Sequence, residues 1–285
     1  MASTLVIEGE AGSLDYRLLH RLLVDCARVD GLTLRPAGGD ATVRAVVAHL
    51  RGHEGGTVLG LVDRNRGGGE STDHVVVLAR HEIENYLLEP GVVLAACEVL
   101  RTAPSAGCTP ALPADEAAVL DLLGELAAPL VPLHCLRQVE ALLRARIGAA
   151  LGDLGRTSYS APRPNDGSAA ACLASLEQEA RRFVAACAAA AELADLAPAA
   201  VRALWTPEHA RLTASEFLAS GQFLVELDGK QLLAALVAKL QATGRPRASF
   251  AADFERLLID GCAERWAAAP TFFVELRDLA ERLRR

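Results

Sequence analysis

Short apolar runs alternate with amphipathic stretches over the first third of the chain, and beyond it only amphipathic stretches follow. Leu5-Val6-Ile7 predicts a buried strand over residues 4–7. Residues 13–29 carry Leu14, Leu18, Leu19, Leu22, Leu23 and Cys26 at helical spacing, with Ser13 as a fitting N-cap. Leu32-Thr33-Leu34 predicts a short strand, stopped by Pro36-Ala37-Gly38-Gly39, and Asp40 can cap a helix through Leu50. Residues 57–62 and 75–78 are two further strands, and an apolar helical start follows at Tyr86, Leu87 and Leu88. Strands alternating with helices predict a small α/β domain with a mostly parallel sheet over residues 1–100.

After Pro90 the period becomes helical. Helices are predicted over 92–102, 115–127, 133–151, 169–193, 198–205, 230–242, 250–267 and 271–284. Residues 103–113 read as a Pro-containing linker, and 153–168 as the most loop-like and mobile stretch. Residues 101–285 are thus expected to form a large helical region with no internal repeat, from which the segment at Lys230 can return to the sheet edge. Phe272, Phe273, Leu276, Leu279 and Leu283 give the last helix an apolar face that must pack on something, and a homodimer through the C-terminal helices is one such use.

No segment reads as the ~20 apolar residues that a membrane helix requires. The N-terminus has no basic stretch before its apolar run, which Glu8 soon interrupts, so a cytoplasmic location is expected. About half of the 285 residues are hydrophobic, enough for a sizeable core. The net charge of −7 argues against a surface that attracts nucleic acid as a whole, so phosphate binding would need a local basic patch or bound cations. Seven cysteines stand singly with no CxxC pair, which reads as thiols in a reducing compartment rather than a zinc site or disulfide framework.

The chemistry concentrates where strands end. The first strand runs into Glu8-Gly9-Glu10, the third into Asp63-Arg64-Asn65, and the fourth into His81-Glu82-Ile83-Glu84-Asn85. In a parallel sheet these ends share one edge, where α/β proteins build their sites. Carboxylates gathered there repel one another unless a cation sits among them, and oxygen ligands suit Mg²⁺ or Mn²⁺. The plainer reading of each acid is a solvated cap of the next helix. Gly67-Gly68-Gly69 lacks the following Lys-Ser/Thr of a P-loop, no other nucleotide-binding or nucleophile motif appears, and the histidines show no metal-binding spacing, although His81 adjoins the acids.

In their order, Leu5-Val6-Ile7-Glu8-Gly9, Gly60-Leu61-Val62-Asp63-Arg64-Asn65 and Glu82-Ile83-Glu84-Asn85-Tyr86-Leu87-Leu88 resemble the TOPRIM domain. The form they resemble is that of overcoming-lysogenization-defect (OLD) nucleases and of the TOPRIM effectors that accompany ABC-type ATPases in anti-phage systems. Asp228-Gly229-Lys230, before a helix, looks like the late Gly-Lys segment of that group. The resemblance implies a Mg²⁺- or Mn²⁺-dependent endonuclease acting on DNA or tRNA beside a separate ABC- or SMC-like ATPase. It implies Glu8 as metal ligand or general acid/base, Asp63 as metal ligand and Lys230 as the group that neutralises phosphate charge, while the meeting of strand ends adds Asn65, as a weaker neutral ligand, with Glu82 and Glu84 to the expected metal ligands. Arg64, Arg66 and Arg80 lie near enough in sequence to contact phosphates. Two positions depart from the pattern: Asn65 stands where a second aspartate is usual, and Gly12 where an acidic residue is common. These departures leave open a second reading, a TOPRIM module that no longer cleaves and docks on its ATPase as a binding or sensor subunit.

Overall fold

The computed structural model describes residues 3–53, 55–64, 70–102, 112–152, 159–187, 190, 193–242 and 249–285. Strands β1 (Ser3–Ile7), β2 (Leu32–Pro36), β3 (Thr57–Val62) and β4 (Val75–Val77) form one parallel sheet in the order β2-β1-β3-β4. The expected α/β class with a parallel sheet is what the chain adopts. The helices are α1 (Leu14–Leu19), α2 (Asp40–Arg51), α3 (Glu84–Leu87), α4 (Pro90–Thr102), α5 (Glu116–Ala127), α6 (Val131–Leu151), α7 (Ala169–Ala186), α8 (Pro198–Thr213), α9 (Ser215–Ala219), α10 (Phe223–Glu226), α11 (Gly229–Ala242), α12 (Phe250–Ala268) and α13 (Val274–Arg284).

Strands β1 and β3 are apolar on both faces because both are covered, whereas edge strand β2 exposes Thr33 and Arg35. On one face Val6, Val58, Val62 and Val75 pack against Val43, Val47 and Leu50 of α2. Gly60 lets α2 approach: a β-carbon there would stand 3.0 Å from both Val43 Cγ1 and Val47 Cγ2. Helix α13 also packs on β1 and β3, and Ser3 Oγ donates a 2.6 Å hydrogen bond to Leu283 O. Leu276, Leu279 and Leu283 are fully buried in this packing.

The chain forms two compact units, one of Met1–Leu122 with Leu224–Arg285 and one of Leu123–Phe223. The segment carrying Lys230 thus belongs to the unit that holds the sheet. In the second unit α6, α7 and α8 pack together. Residues 159–162 of the loop-like stretch are anchored there: Tyr159 is fully buried, and Ser160 N and Ala161 N donate to Glu179 and Glu140 at 3.1 Å each.

Several helices depart from their expected bounds for physical reasons. The first turns from α to a π-helix over His20–Cys26, with Ala27 N bonded five residues back to Leu22 O at 2.8 Å. The helix expected over 169–193 ends at Ala186, where Cys187 is extended. The one expected over 198–205 runs on to Thr213 through Pro207, held by buried Val201, Trp205 and Leu212. The last begins at Val274 rather than 271, because Phe273 adopts a left-handed φ of 61°. Within Glu116–Leu151 an 18-residue window has mean hydropathy 1.5 and is 39% buried. By length and composition it could cross a membrane, contrary to the sequence expectation, a property that core helices of soluble proteins share. No disulfide joins the described cysteines.

Candidate functional site

The carboxyl ends of β1 and β3 lie side by side, because Ile7 pairs with Leu61 in the parallel register. The next residues are therefore neighbours: Asp63 N donates to Glu8 Oε1 at 3.3 Å. Beyond Glu8 the chain turns through Gly9, whose φ of +87° suits glycine, and Gly9 N bonds Gly38 O at 3.2 Å. A β-carbon at Gly9 would meet Asp15 Oδ2 at 3.2 Å. The turn thus brings Asp15, in the first turn of α1 and buried, back to the strand ends. Glu8, Asp15 and Asp63 line a cleft of about 10 Å³ floored by Ile7, Leu61 and Ile83, room for about one water or small ion.

From the other side comes the corner 82–85. Asn85 is fully buried. Its Oδ1 accepts from Glu82 N at 2.9 Å, and its Nδ2 donates to Leu227 O at 3.0 Å. One amide thereby joins the acidic corner to the start of α11. Asp228 caps that helix, accepting from Gln231 N at 2.9 Å. Lys230 N donates to Glu82 Oε2 at 3.1 Å, so a carboxylate meets the positive end of the helix. The Lys230 ammonium lies 3.7 Å from Glu84 Oε1, 3.9 Å from Glu82 Oε1 and 4.0 Å from Asp63 Oδ2.

The structure thus brings together Glu8, Asp63, Glu82, Glu84 and Lys230. Asn65 and Arg66 lie outside the described residues, as does the Gly67–Gly69 stretch. Asp15 is the member the sequence reading left aside, with Asp228 at the margin. The signal for Asp15 was its place in the first turn of a helix that follows a strand end through a glycine. Of the arginines named for phosphate contact, Arg80 is committed elsewhere: its guanidinium lies 4.8 Å from the Tyr86 ring centre and 5.4 Å from that of Phe272, and donates to Asn85 O at 2.6 Å. Arg64 reaches Ala79 O at 3.0 Å. His81 takes part through its backbone, donating to Val225 O and accepting from Arg64 N.

The electrostatics are those of crowded acids with one cation. Burial pushes the Asp63 carboxyl up to about 7, and the Glu8 charge adds to the rise. Burial also lifts Glu84 well above the usual carboxylate range, with Asp15 adding and Lys230 opposing. Glu82 is raised by burial and then by Asp228, and Glu8 by burial against the opposing Asp63 N–H. Burial would lower Lys230, but Glu84, Glu82, Asp15 and Asp63 together raise it, so it stays charged.

Whether these residues suit a divalent cation turns on two observations. The donors are all carboxylate oxygens, the type that Mg²⁺ and Mn²⁺ prefer. Glu84 is 3% exposed, and its Oε2 is buried with no hydrogen-bond partner, an acceptor whose desolvation nothing offsets. As the side chains stand, no three His, Cys, Asp or Glu residues among those described are grouped to hold a metal, and the Lys230 ammonium lies among the acids. The donor chemistry fits, and the arrangement would have to rearrange around the ion. No family model matches this chain, and neither does any curated protein or solved structure.

Proposed function

We propose that the protein is a metal-dependent nuclease that cleaves phosphodiester bonds in DNA or tRNA. The observation that carries this reading is the meeting of Glu8, Asp63 and Glu84 with Lys230 at the carboxyl edge of a parallel sheet. Glu8, Asp63 and Glu84, with Glu82 beside them, would hold Mg²⁺ or Mn²⁺. When bound, such an ion polarises the scissile phosphate and supplies charge to its transition state. The chain's own residues then do the following. Lys230, charged across the physiological range, stabilises negative charge on the phosphate. Glu8 can accept a proton from an attacking water. Asn85 holds the lysine corner in register with the acids.

The resemblance of these segments to TOPRIM domains of OLD nucleases supports the same reading. It extends it to a cytoplasmic effector of anti-phage defence that works with a separate ABC- or SMC-like ATPase, consistent with the lack of a nucleotide-binding motif in this sequence. The test is calorimetric titration of Mg²⁺ and Mn²⁺ into the wild type and Glu8→Ala, followed by cleavage assays on DNA and tRNA with the same pair. Saturable binding and cleavage that the substitution abolishes are expected. Metal-independent cleavage, or none with saturated protein and its ATPase partner, rejects the enzyme.

A second reading, a non-cleaving subunit that docks on an ATPase, is favoured by two observations: a lysine already stands among the acids as a counter-ion, and no three of the described acids are grouped for a metal. It predicts normal partner binding by Glu8→Ala and no cleavage by any form.

A further inference from the structure

We infer that Lys230 is the built-in counter-ion of the acidic site, and that a divalent cation enters by displacing its ammonium rather than by binding beside it. The inference rests on the metal-binding reading above and concerns how that site is filled.

Three carboxylates, one at the end of β3 and two from the corner 82–84, lie about the Lys230 ammonium at 3.7, 3.9 and 4.0 Å. All three separations exceed ordinary hydrogen-bond length, so the attraction is Coulombic and undirected. The ammonium thus lies where opposite charge is wanted without being locked there. Its side chain is 53% exposed, and four rotatable bonds give it a path to solvent. The backbone is held separately from the side chain, through the bond from Lys230 N to Glu82 Oε2. Departure of the ammonium therefore leaves α11 and the corner at Asn85 in place.

One further observation points to a second occupant. The buried Glu84 carboxylate has one oxygen, Oε2, with no hydrogen-bond partner, so the lysine leaves the site incompletely satisfied. A dication and an ammonium within about 4 Å of the same carboxylates would repel each other strongly, so one excludes the other. The sequence is also economical with this residue: Lys230 and Lys239 are its only lysines, against 27 arginines. A planar guanidinium would pair with carboxylates in a fixed fork, whereas a compact ammonium can leave.

The test is calorimetric titration of Mn²⁺ into wild-type protein and Lys230→Met. Displacement predicts that the variant binds Mn²⁺ about tenfold or more tightly. Saturable binding of equal or lower affinity in the variant overturns displacement while leaving the metal site standing. Binding by neither protein overturns both. A second measurement on unaltered protein is acetylation by an amine-reactive reagent, read by mass spectrometry at Lys230 with Lys239 as internal reference. Saturating Mn²⁺ is expected to raise the Lys230-to-Lys239 ratio severalfold, and an unchanged or reduced ratio counts against displacement.

Discussion

Gly229 lies against Asn85 so closely that a β-carbon on it would stand 2.6 Å from Asn85 Oδ1 and 2.9 Å from Asn85 N. The glycine is required by this neighbour, which lies far away in sequence and joins the Glu82 corner to Leu227. Two opposing effects set the outcome of Gly229→Ala. Helix propensity favours alanine by about 1 kcal/mol. Overpacking against a fully buried amide costs about 1–3 kcal/mol and should win. Thermal unfolding is expected to show a lower Tm, and a raised Tm would mean that the corner yields freely.

Asn85 itself is expected to be intolerant of change. Asn85→Ala removes the partners of Glu82 N and Leu227 O, each of which costs about 1–3 kcal/mol if left buried and unpaired. Asn85→Asp keeps the acceptor but loses the donor to Leu227 O, and it adds a buried negative charge beside Glu82. At pH 8 the aspartate variant should therefore unfold at a lower temperature than the alanine variant, and the gap should narrow toward pH 5 as the new carboxyl is protonated. A gap that does not change with pH would argue against the charge explanation.

The raised carboxyl of Asp63 makes stability depend on pH in a defined sense. Its folded pKa of about 7 exceeds the ordinary 3.8, so the folded state binds the proton more tightly than the unfolded chain. The associated stability is full below about pH 4 and is lost as pH rises through about 7. Glu84, raised in the same direction, extends the loss to higher pH. The metal-free protein should show a Tm that falls between pH 5 and pH 8. Asp63→Asn, neutral and nearly isosteric, should raise the Tm at pH 8 but hardly at pH 5, and a stabilisation of equal size at both would reject the titration argument.

Gly60 lies in β3, the strand that leads to Asp63, where α2 packs closest on the sheet. Gly60→Ala would place a β-carbon 3.0 Å from Val43 Cγ1 and Val47 Cγ2, and 3.2 Å from Val75 Cγ2. The expected cost is about 1–3 kcal/mol in urea unfolding. Pairing it with Val47→Ala, which opens the space the new methyl needs, should cost less than the sum of the single changes. Simple additivity would show that the α2 contact is not what excludes the side chain.

The strands and their acidic ends were legible in the sequence. Runs such as Leu5-Val6-Ile7 and Val58 to Val62 report double-sided burial directly, and a parallel sheet must then bring the residues after them to one edge, as it does Glu8 and Asp63. That much follows from local period and topology. The π-helical turn at His20–Cys26, the left-handed Phe273 and the use of Leu276, Leu279 and Leu283 against the sheet were not legible. Each is set by which neighbour must be accommodated, and an apolar stripe does not name its partner. The same holds for the site. Resemblance nominated Lys230, but its place among the acids depends on contacts across 148 residues, from Lys230 N to Glu82. Asp15 joins because Gly9 turns the chain sharply enough to admit it. Sequence pattern determines which residues end a strand, because that is a local matter of burial and backbone preference. Only the tertiary structure decides which distant charge those residues face, because that depends on steric fit between segments, here a glycine against an asparagine.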